Sequence, residues 1–184
     1  MLAINMYNGF FENCIPFFTA KHNDEINLCE ELNDCDSIKD IFDLVKDCVK
    51  ATLKESRAGL DIGLVEIGNK PDGLLSAFYP VESNIIVVNS TPLRRITETN
   101  PELFKPYLFS ILLHEYIHSL GYLDEAAVRK LSYLICRKFF GEEHPATKIS
   151  FDMSEFFPYL LYPKGQEPKN VMKVIEVDDI DYIG

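Results

Sequence analysis

The feature that most constrains this chain is the HExxH sequence at residues 114–118, which lies inside the apolar run 107–121. Residues four apart on a helix project from the same face, so His114 and His118 can share one metal ion. Glu115 follows the first histidine, where a carboxylate can reach a water on that ion. Apolar residues cover most of the remaining helix surface, which predicts burial. The segment therefore predicts a core helix that carries two metal ligands and a general base.

A simpler interpretation is a core helix whose two histidines bond to backbone groups or to neighbouring carboxylates. That interpretation leaves Glu115 unexplained, because a glutamate is rarely placed in an apolar run without a partner. The metal-site interpretation accounts for all three polar residues of the motif, and we favour it.

The residues after the motif extend the pattern. Gly121 can end the helix in a left-handed conformation, which lets the chain turn back and bring Asp124 to the metal. The set His114, Glu115, His118, Gly121 and Asp124 resembles HExxHxxGxx(H/D), the extended signature of the metzincin clan. It is also similar to small prokaryotic zincin-like proteins whose motif continues as Gly-x-x-Asp-Glu. The resemblance implies a zinc metallopeptidase in which His114, His118 and Asp124 hold Zn²⁺ and Glu115 is the catalytic base.

The third ligand stays open at the level of the sequence. Asp124 precedes an amphipathic helix at 125–140 and is also a preferred N-cap residue. Glu125 is one alternative. The cluster Glu142, Glu143 and His144 is another, because in the gluzincin clan the third ligand is a glutamate on the helix that follows the HExxH helix.

Periodicity predicts the elements that precede the motif. An amphipathic helix begins at Ser37 or Asp36 and runs to Lys54. Three strands are predicted next, at residues 60–68, 74–79 and 84–89. The order of one helix, three strands and the HExxH helix is similar to the upper lobe of zincins. We therefore expect an α+β, zincin-like fold, in which a small twisted sheet packs on a backing helix and the active-site helix.

The resemblance also implies how the chain is organised. We expect a single zincin-like catalytic domain over residues 1–184, with an upper lobe at 1–121 and an irregular lower lobe at 122–184. Residues 85–89 are the expected edge strand along the cleft, where a substrate backbone can add as a further strand. Their continuous apolar run fits a buried central strand equally well. Residues 171–177 are a further predicted strand.

Two more features of the proposed site are expected in the lower lobe. The metzincin resemblance implies a methionine-containing turn beneath the metal, for which residues 151–154 are the candidate. The negative oxygen of a tetrahedral intermediate needs a hydrogen-bond donor. Tyr122, Tyr159 and Tyr162 are candidates, and nothing in the sequence selects among them.

Composition narrows the class of partner. The formal net charge is −11 and no lysine or arginine cluster stands out, which argues against a nucleic-acid partner. No apolar run reaches 18 residues, so a membrane span is not expected. The five cysteines lack CxxC spacing and no signal peptide is evident, which favours a cytoplasmic protein.

The expected function is zinc-dependent hydrolysis of a peptide or protein substrate, in which Glu115 takes a proton from a zinc-bound water. The alternative is a zincin-fold protein that binds metal without protease activity, as a binding or regulatory module. The sequence leaves the oligomeric state open.

Overall fold

A computed structural model describes residues 22–68, 75–153 and 171–177 of this chain, with only the backbone for 22–27. None of the helices in these ranges combines the length and the apolar character that crossing a bilayer requires.

The described chain contains six α-helices and four strands. The helices are α1 (His22–Asp34), α2 (Ile38–Leu53), α3 (Ser90–Thr99), α4 (Phe104–Ser119), α5 (Glu125–Phe140) and α6 (Pro145–Phe151), and a 3₁₀ turn at Pro101–Leu103 joins α3 to α4. The strands are β1 (Asp61–Val65), β2 (Ala77–Phe78), β3 (Ile85–Asn89) and β4 (Lys173–Ile175).

The predicted backing helix is confirmed as α2. It begins with a capping box, in which the Ser37 side chain accepts from the Asp40 N–H and the Asp40 carboxylate accepts from the Ser37 N–H. Its apolar stripe is buried and packs against α4. The helix ends at Leu53, and its C-cap residue Lys54 takes a left-handed conformation with φ of 60°.

The four strands form one mixed sheet in the order β2-β3-β1-β4. β1 pairs in parallel with β3. β2 pairs antiparallel with β3, and β4 pairs antiparallel with β1. The prediction that residues 85–89 form the sheet edge is wrong, because β3 is paired on both sides. The competing prediction of an interior strand is correct and explains its continuous apolar run. Among the described strands, β2 and β4 lie at the two edges instead.

The predicted strand at 171–177 is confirmed as β4. It comes from the segment expected to form the lower lobe, yet it extends the sheet by pairing with β1. Residues 173–175 thus contribute to the same sheet as residues 61–89.

Helix α4 is the centre of the core, in contact with the sheet and with the helices on either side of it in sequence. Tyr107, Leu112 and Ile117 lie on different faces of α4 and all are fully buried. This burial on every side explains why the apolar run showed no polar face. The structure is therefore α+β, with helices packed around a buried helix and a small mixed sheet.

Three described helices were not predicted. α1 lies in an acidic, polar stretch, and α6 begins at Pro145 in a segment expected to be irregular. α3 follows β3 without a loop, because the Asn89 side chain accepts from the Thr91 N–H and caps the helix directly. A helix and a 3₁₀ turn therefore separate the third strand from the HExxH helix.

Candidate metal centre

The two motif histidines lie in the last two turns of α4. Their rings are half-buried and meet edge to face, with centroids 4.8 Å apart. Gly121 has φ of +100°, and its N–H donates to the His118 carbonyl at 2.9 Å. The prediction of a positive φ at this glycine is confirmed. The turn it makes places the start of α5 beside the two imidazoles.

A carboxylate from α5 completes the group. His118 Nε2 lies 3.1 Å from His114 Nε2 and 3.1 Å from Glu125 Oε1, while His114 Nε2 lies 3.3 Å from Glu125 Oε2. Glu125 is one of the alternatives to Asp124 that the sequence left open. Within the described ranges, His114, His118 and Glu125 are the set of potential ligand atoms that converges closely enough to hold one metal ion.

The orientation of the His118 ring follows from its second nitrogen. His118 Nδ1 lies 2.7 Å from the Tyr122 carbonyl oxygen, which can only accept a hydrogen bond. Nδ1 therefore donates to this carbonyl, and Nε2 is directed at His114 and Glu125. A backbone carbonyl that orients the outer nitrogen of a histidine is a recurrent feature around metal ligands.

His118 Nε2 and Glu125 Oε1 lie 3.1 Å apart, a separation that either a proton on Nε2 or a cation between the two atoms can bridge. Burial lowers the pKa of the neighbouring His114, so that ring is neutral at neutral pH. The chemistry of the donor set thus fits a divalent cation bound by two imidazoles and one carboxylate.

The separations also fit zinc. Tetrahedral zinc with bonds of about 2.0–2.1 Å to nitrogen or oxygen holds its ligand atoms about 3.3–3.4 Å apart. The three observed separations are 3.1, 3.1 and 3.3 Å. Glu125 presents a different oxygen to each imidazole, so a small rotation of its carboxylate decides which oxygen binds. Its side chain is 65% exposed and has room for that rotation.

Glu115 lies on the same helix but is nearly buried, with 8% of its surface exposed. Its carboxylate accepts a hydrogen bond from the backbone N–H of Tyr79, the residue after β2. Burial raises the pKa of Glu115 to about 7. A carboxylate with such a pKa can take up and release a proton near neutral pH, as general acid–base chemistry requires.

Asp124, the predicted third ligand, lies one residue before Glu125 and its carboxylate has a different partner. Its Oδ1 accepts from the Ala127 N–H at 2.7 Å, so it is the N-cap of α5. The structure does not bring it into the group with His114 and His118.

Glu142, Glu143 and His144 follow α5 and lie outside the group of converging ligand atoms. Glu142 pairs with Arg137 and Glu143 pairs with Lys148, at 3.6 and 2.8 Å. His144 stacks on Phe140, and its Nδ1 accepts from the Ala146 N–H at 3.1 Å as the N-cap of α6. Each of these three side chains therefore has a partner of its own near the end of α5.

The remaining predicted features are only partly described. The Tyr122 hydroxyl donates to Glu55 Oε1 at 2.9 Å, whereas Tyr159 and Tyr162 lie outside the described residues. In the candidate methionine turn, Met153 is half-buried and its sulfur lies 3.3 Å from Ser76 Oγ. This contact is with the segment that leads into β2.

Sequence reasoning missed two residues around the site. Tyr79 holds Glu115 through a backbone N–H, which any residue type except proline would supply, so no sequence signal exists for it. Arg57 bonds to the Ser119 carbonyl at the end of α4 from a polar loop after α2. Only the assembled fold identifies either residue.

The chain matches no protein-family model, no curated protein and no solved structure. The features that point to a function are therefore the motif and the geometry around it.

Proposed function

We propose that this protein is a zinc-dependent metallopeptidase with a zincin-like active site. The proposed ligands are His114, His118 and Glu125, and Glu115 is the proposed general base. The observation that carries the proposal is the convergence of His114 Nε2, His118 Nε2 and the Glu125 carboxylate, at separations of 3.1, 3.1 and 3.3 Å. Two histidines with one glutamate are a common catalytic zinc set.

The choice of Glu125 changes the clan that the site resembles. Glu125 is the first residue of α5, the helix that follows the HExxH helix. A glutamate from that helix is the gluzincin type of third ligand, whereas the sequence pattern favoured the metzincin type with Asp124. The short distances from Glu125 to His118 and His114 support Glu125. The Asp124 carboxylate instead accepts from the Ala127 N–H.

Zinc bound there would polarise the substrate carbonyl and make a water nucleophilic near neutral pH. Glu115 would accept the proton from that water and deliver it to the leaving amine. The Tyr79 N–H donates to the Glu115 carboxylate and orients it. The Tyr122 carbonyl holds the His118 ring in the orientation that ligation needs.

The same strand end that holds Glu115 offers a place for the substrate. β2 is the outermost described strand beside β3, and the exposed Phe78 lies next to Tyr79. A peptide that pairs with β2 would pass close to Glu115. We therefore propose β2 for the role that the sequence suggested for residues 85–89.

Metal analysis of purified protein tests the ligand set. We expect about one zinc per chain in the wild type, in Asp124→Ala and in Glu115→Gln, and none in His118→Ala or Glu125→Ala. Zinc lost in Asp124→Ala but kept in Glu125→Ala would reverse the assignment of the third ligand. Metal-free wild type after zinc reconstitution would overturn the proposal as a whole.

Hydrolysis tests the mechanism separately. We expect the zinc-loaded wild type to cleave peptides from a mixed-sequence library, and Glu115→Gln to lose this activity while it keeps zinc. Equal cleavage by both proteins would contradict the role of Glu115. Zinc binding without cleavage of any library member would favour a metal-binding module that is not a protease.

A further inference from the structure

Arg57 lies in the loop after α2 and binds two parts of the candidate site at once. Its guanidinium donates from Nη1 to the Tyr79 hydroxyl at 2.6 Å and to the Ser119 carbonyl at 2.7 Å. From Nη2 it donates to the Ser83 carbonyl at 2.7 Å. The guanidinium carbon also lies over the Tyr79 ring, 5.3 Å from its centre. All three oxygens belong to neutral groups, so the cation serves here to fix geometry.

Each of these acceptors leads to the site. Ser119 is the last residue of α4 and follows His118 directly. Tyr79 is the residue whose N–H donates to Glu115. Ser83 belongs to the turn that follows, and its carbonyl also accepts from the Tyr79 hydroxyl at 2.9 Å. One guanidinium thus joins the metal-bearing end of α4 to the strand end that orients the general base.

The backbone of Arg57 adds a contact on the same helix. The Arg57 N–H donates to the Tyr116 hydroxyl at 2.8 Å, and Tyr116 lies between Glu115 and His118 in the motif. Tyr116 is fully buried and packs edge to face on Phe42 of α2, with ring centres 5.5 Å apart. The loop is therefore anchored to the last turn of α4 through both its backbone and its side chain.

The three directed hydrogen bonds favour arginine over lysine at this position. The last carbonyls of a helix have no partner within the helix, and a cation beside them is favourable because the helix dipole is negative there. A planar guanidinium donates in several fixed directions at once, whereas a lysine ammonium is a flexible point charge. Lysine in place of Arg57 would keep the charge but not the simultaneous bonds to Tyr79, Ser83 and Ser119.

We propose that Arg57 is a positioning residue, which holds His118 and Glu115 in register through the Ser119 carbonyl and through Tyr79. This inference rests on the proposed metal site. Arg57 acts through its neighbours, and no metal or substrate contact is assigned to it.

The test uses metal binding and amide exchange, so that no substrate is required. Arg57→Met removes the guanidinium and keeps an apolar stem, and Arg57→Lys keeps the charge. Arg95→Met is a matched control on α3, where the arginine side chain is 37% exposed. Each protein is titrated with Zn²⁺ against a chromophoric chelator. Each is also loaded with Co²⁺, whose visible spectrum reports the geometry of the ligands.

We expect Arg57→Met to bind zinc about 10-fold more weakly than the wild type, within the range typical of groups that orient metal ligands. We expect an altered cobalt spectrum and faster exchange of the Tyr79 amide, while amides in the buried middle of α4 keep their protection. Arg57→Lys should resemble Arg57→Met, because charge alone does not restore three directed bonds. Arg95→Met should match the wild type in all three measurements.

Two results separate this inference from the proposed function. If the wild type binds neither zinc nor cobalt, the metal site fails and this inference fails with it. If the wild type binds both and Arg57→Met has the same affinity, cobalt spectrum and Tyr79 exchange, only the role of Arg57 is overturned.

Loss of folding in Arg57→Met would leave two milder variants to decide. Tyr79→Phe removes one acceptor of Arg57 and keeps the ring, and Arg57→Lys keeps the cation. A changed cobalt spectrum in folded Tyr79→Phe and Arg57→Lys supports the positioning role. A wild-type spectrum in both would show that Arg57 serves stability alone.

Discussion

Asp124 and Glu125 are neighbours with the same functional group, and backbone geometry gives them different partners. Asp124 precedes the first turn of α5 in an extended conformation, so its side chain folds over the Ala127 N–H. Glu125 already has helical geometry, and its longer side chain extends from the helix towards His114 and His118. A sequence motif cannot tell which of two adjacent carboxylates is the N-cap and which is the ligand, because this depends on where the helix begins.

Substitution of Asp124 separates capping from ligation. We expect Asp124→Ala to lower the free energy of unfolding by about 1 kcal/mol, since the Ala127 N–H loses its partner. Asp124→Asn should be close to the wild type, because asparagine is an equally good N-cap. Chemical denaturation of the metal-free proteins measures both. Similar losses in the two variants would mean that the charge near the helix end, and not the cap, provides the stability.

The Asn89 side chain links the end of β3 to the backbone segments after β1 and before β2. It is fully buried, accepts from the Thr91 and Ile67 N–H groups, and donates to the Gly68 and Leu75 carbonyls. Replacement by alanine leaves these buried backbone groups unpaired. We expect Asn89→Ala to lower the free energy of unfolding by about 2–4 kcal/mol. Urea denaturation beside Asn84→Ala, at an exposed position, measures the difference. A loss of less than about 1 kcal/mol would mean that water replaces these bonds.

Candidate metal ligands lie at the ends of two helices, on either side of one turn. The end of α4 carries His118, the start of α5 carries Glu125, and Gly121 makes the turn between them with φ of +100°. Glycine adopts such an angle without the strain that a Cβ brings. The geometry of the candidate ligands is thus set by one short turn between two helices.

His144 caps α6 with a neutral ring, and this makes the stability of that helix depend on pH. Its Nδ1 accepts from the Ala146 N–H, and burial lowers the pKa of His144 in the folded protein. The unfolded chain, with a histidine pKa of about 6.5, therefore binds the proton first as the pH falls. The resulting contribution to stability is complete above that value and is lost as the pH falls through it towards the lower pKa of the folded state.

A comparison with His144→Asn isolates this effect. Asparagine can accept from the same N–H and does not titrate, so we expect a constant cap and a smaller loss of stability between pH 7 and pH 5. Urea denaturation of both metal-free proteins across this range measures the difference. Parallel pH profiles would contradict the role assigned to His144, since all other titrating groups are common to the two chains.

The sequence predicted elements with strong periodicity and failed where tertiary contacts decide. α2, α4, α5 and the approximate position of β3 follow from apolar spacing and capping residues. The interior position of β3 was not decidable, because a continuous apolar run fits several environments. α6 was missed because the prolines after residue 145 suggested irregular chain, although Pro145 is at the first turn of that helix, where proline is favoured.

The candidate site was predictable to the extent that it is local. His114, Glu115 and His118 come from one helix, so their spacing fixes their relative placement. The Tyr79 N–H donates to Glu115, and the Tyr122 carbonyl oxygen lies against His118 Nδ1. Both of these partners are backbone groups. Backbone groups carry no residue-specific signal, and for this reason the surroundings of the site are visible only in the fold.

At the scale of the whole molecule, the candidate metal site joins separate parts of the core. His114 and His118 belong to α4, which contacts the sheet and the surrounding helices, while Glu125 begins α5. A metal ion bound by all three residues would hold α4 and α5 together at their shared turn. Anything that binds the folded state and not the unfolded chain adds to stability in proportion to its affinity and concentration. Zinc should therefore stabilise the entire fold.

We expect free zinc at about 100 times its Kd to add about 2.7 kcal/mol to the stability of the wild type, and to raise its Tm by about 5–10 °C. Glu125→Ala and His118→Ala should lose most of this shift, because each removes one of the three converging ligands. Mg²⁺ at the same concentration should have little effect, since it prefers oxygen ligands in octahedral geometry. Calorimetric scans with zinc, with magnesium and with a chelator measure these differences. An equal zinc-dependent shift in all three proteins would assign the stabilisation to another site, such as the cysteines, and would remove the energetic link between α4, α5 and the metal.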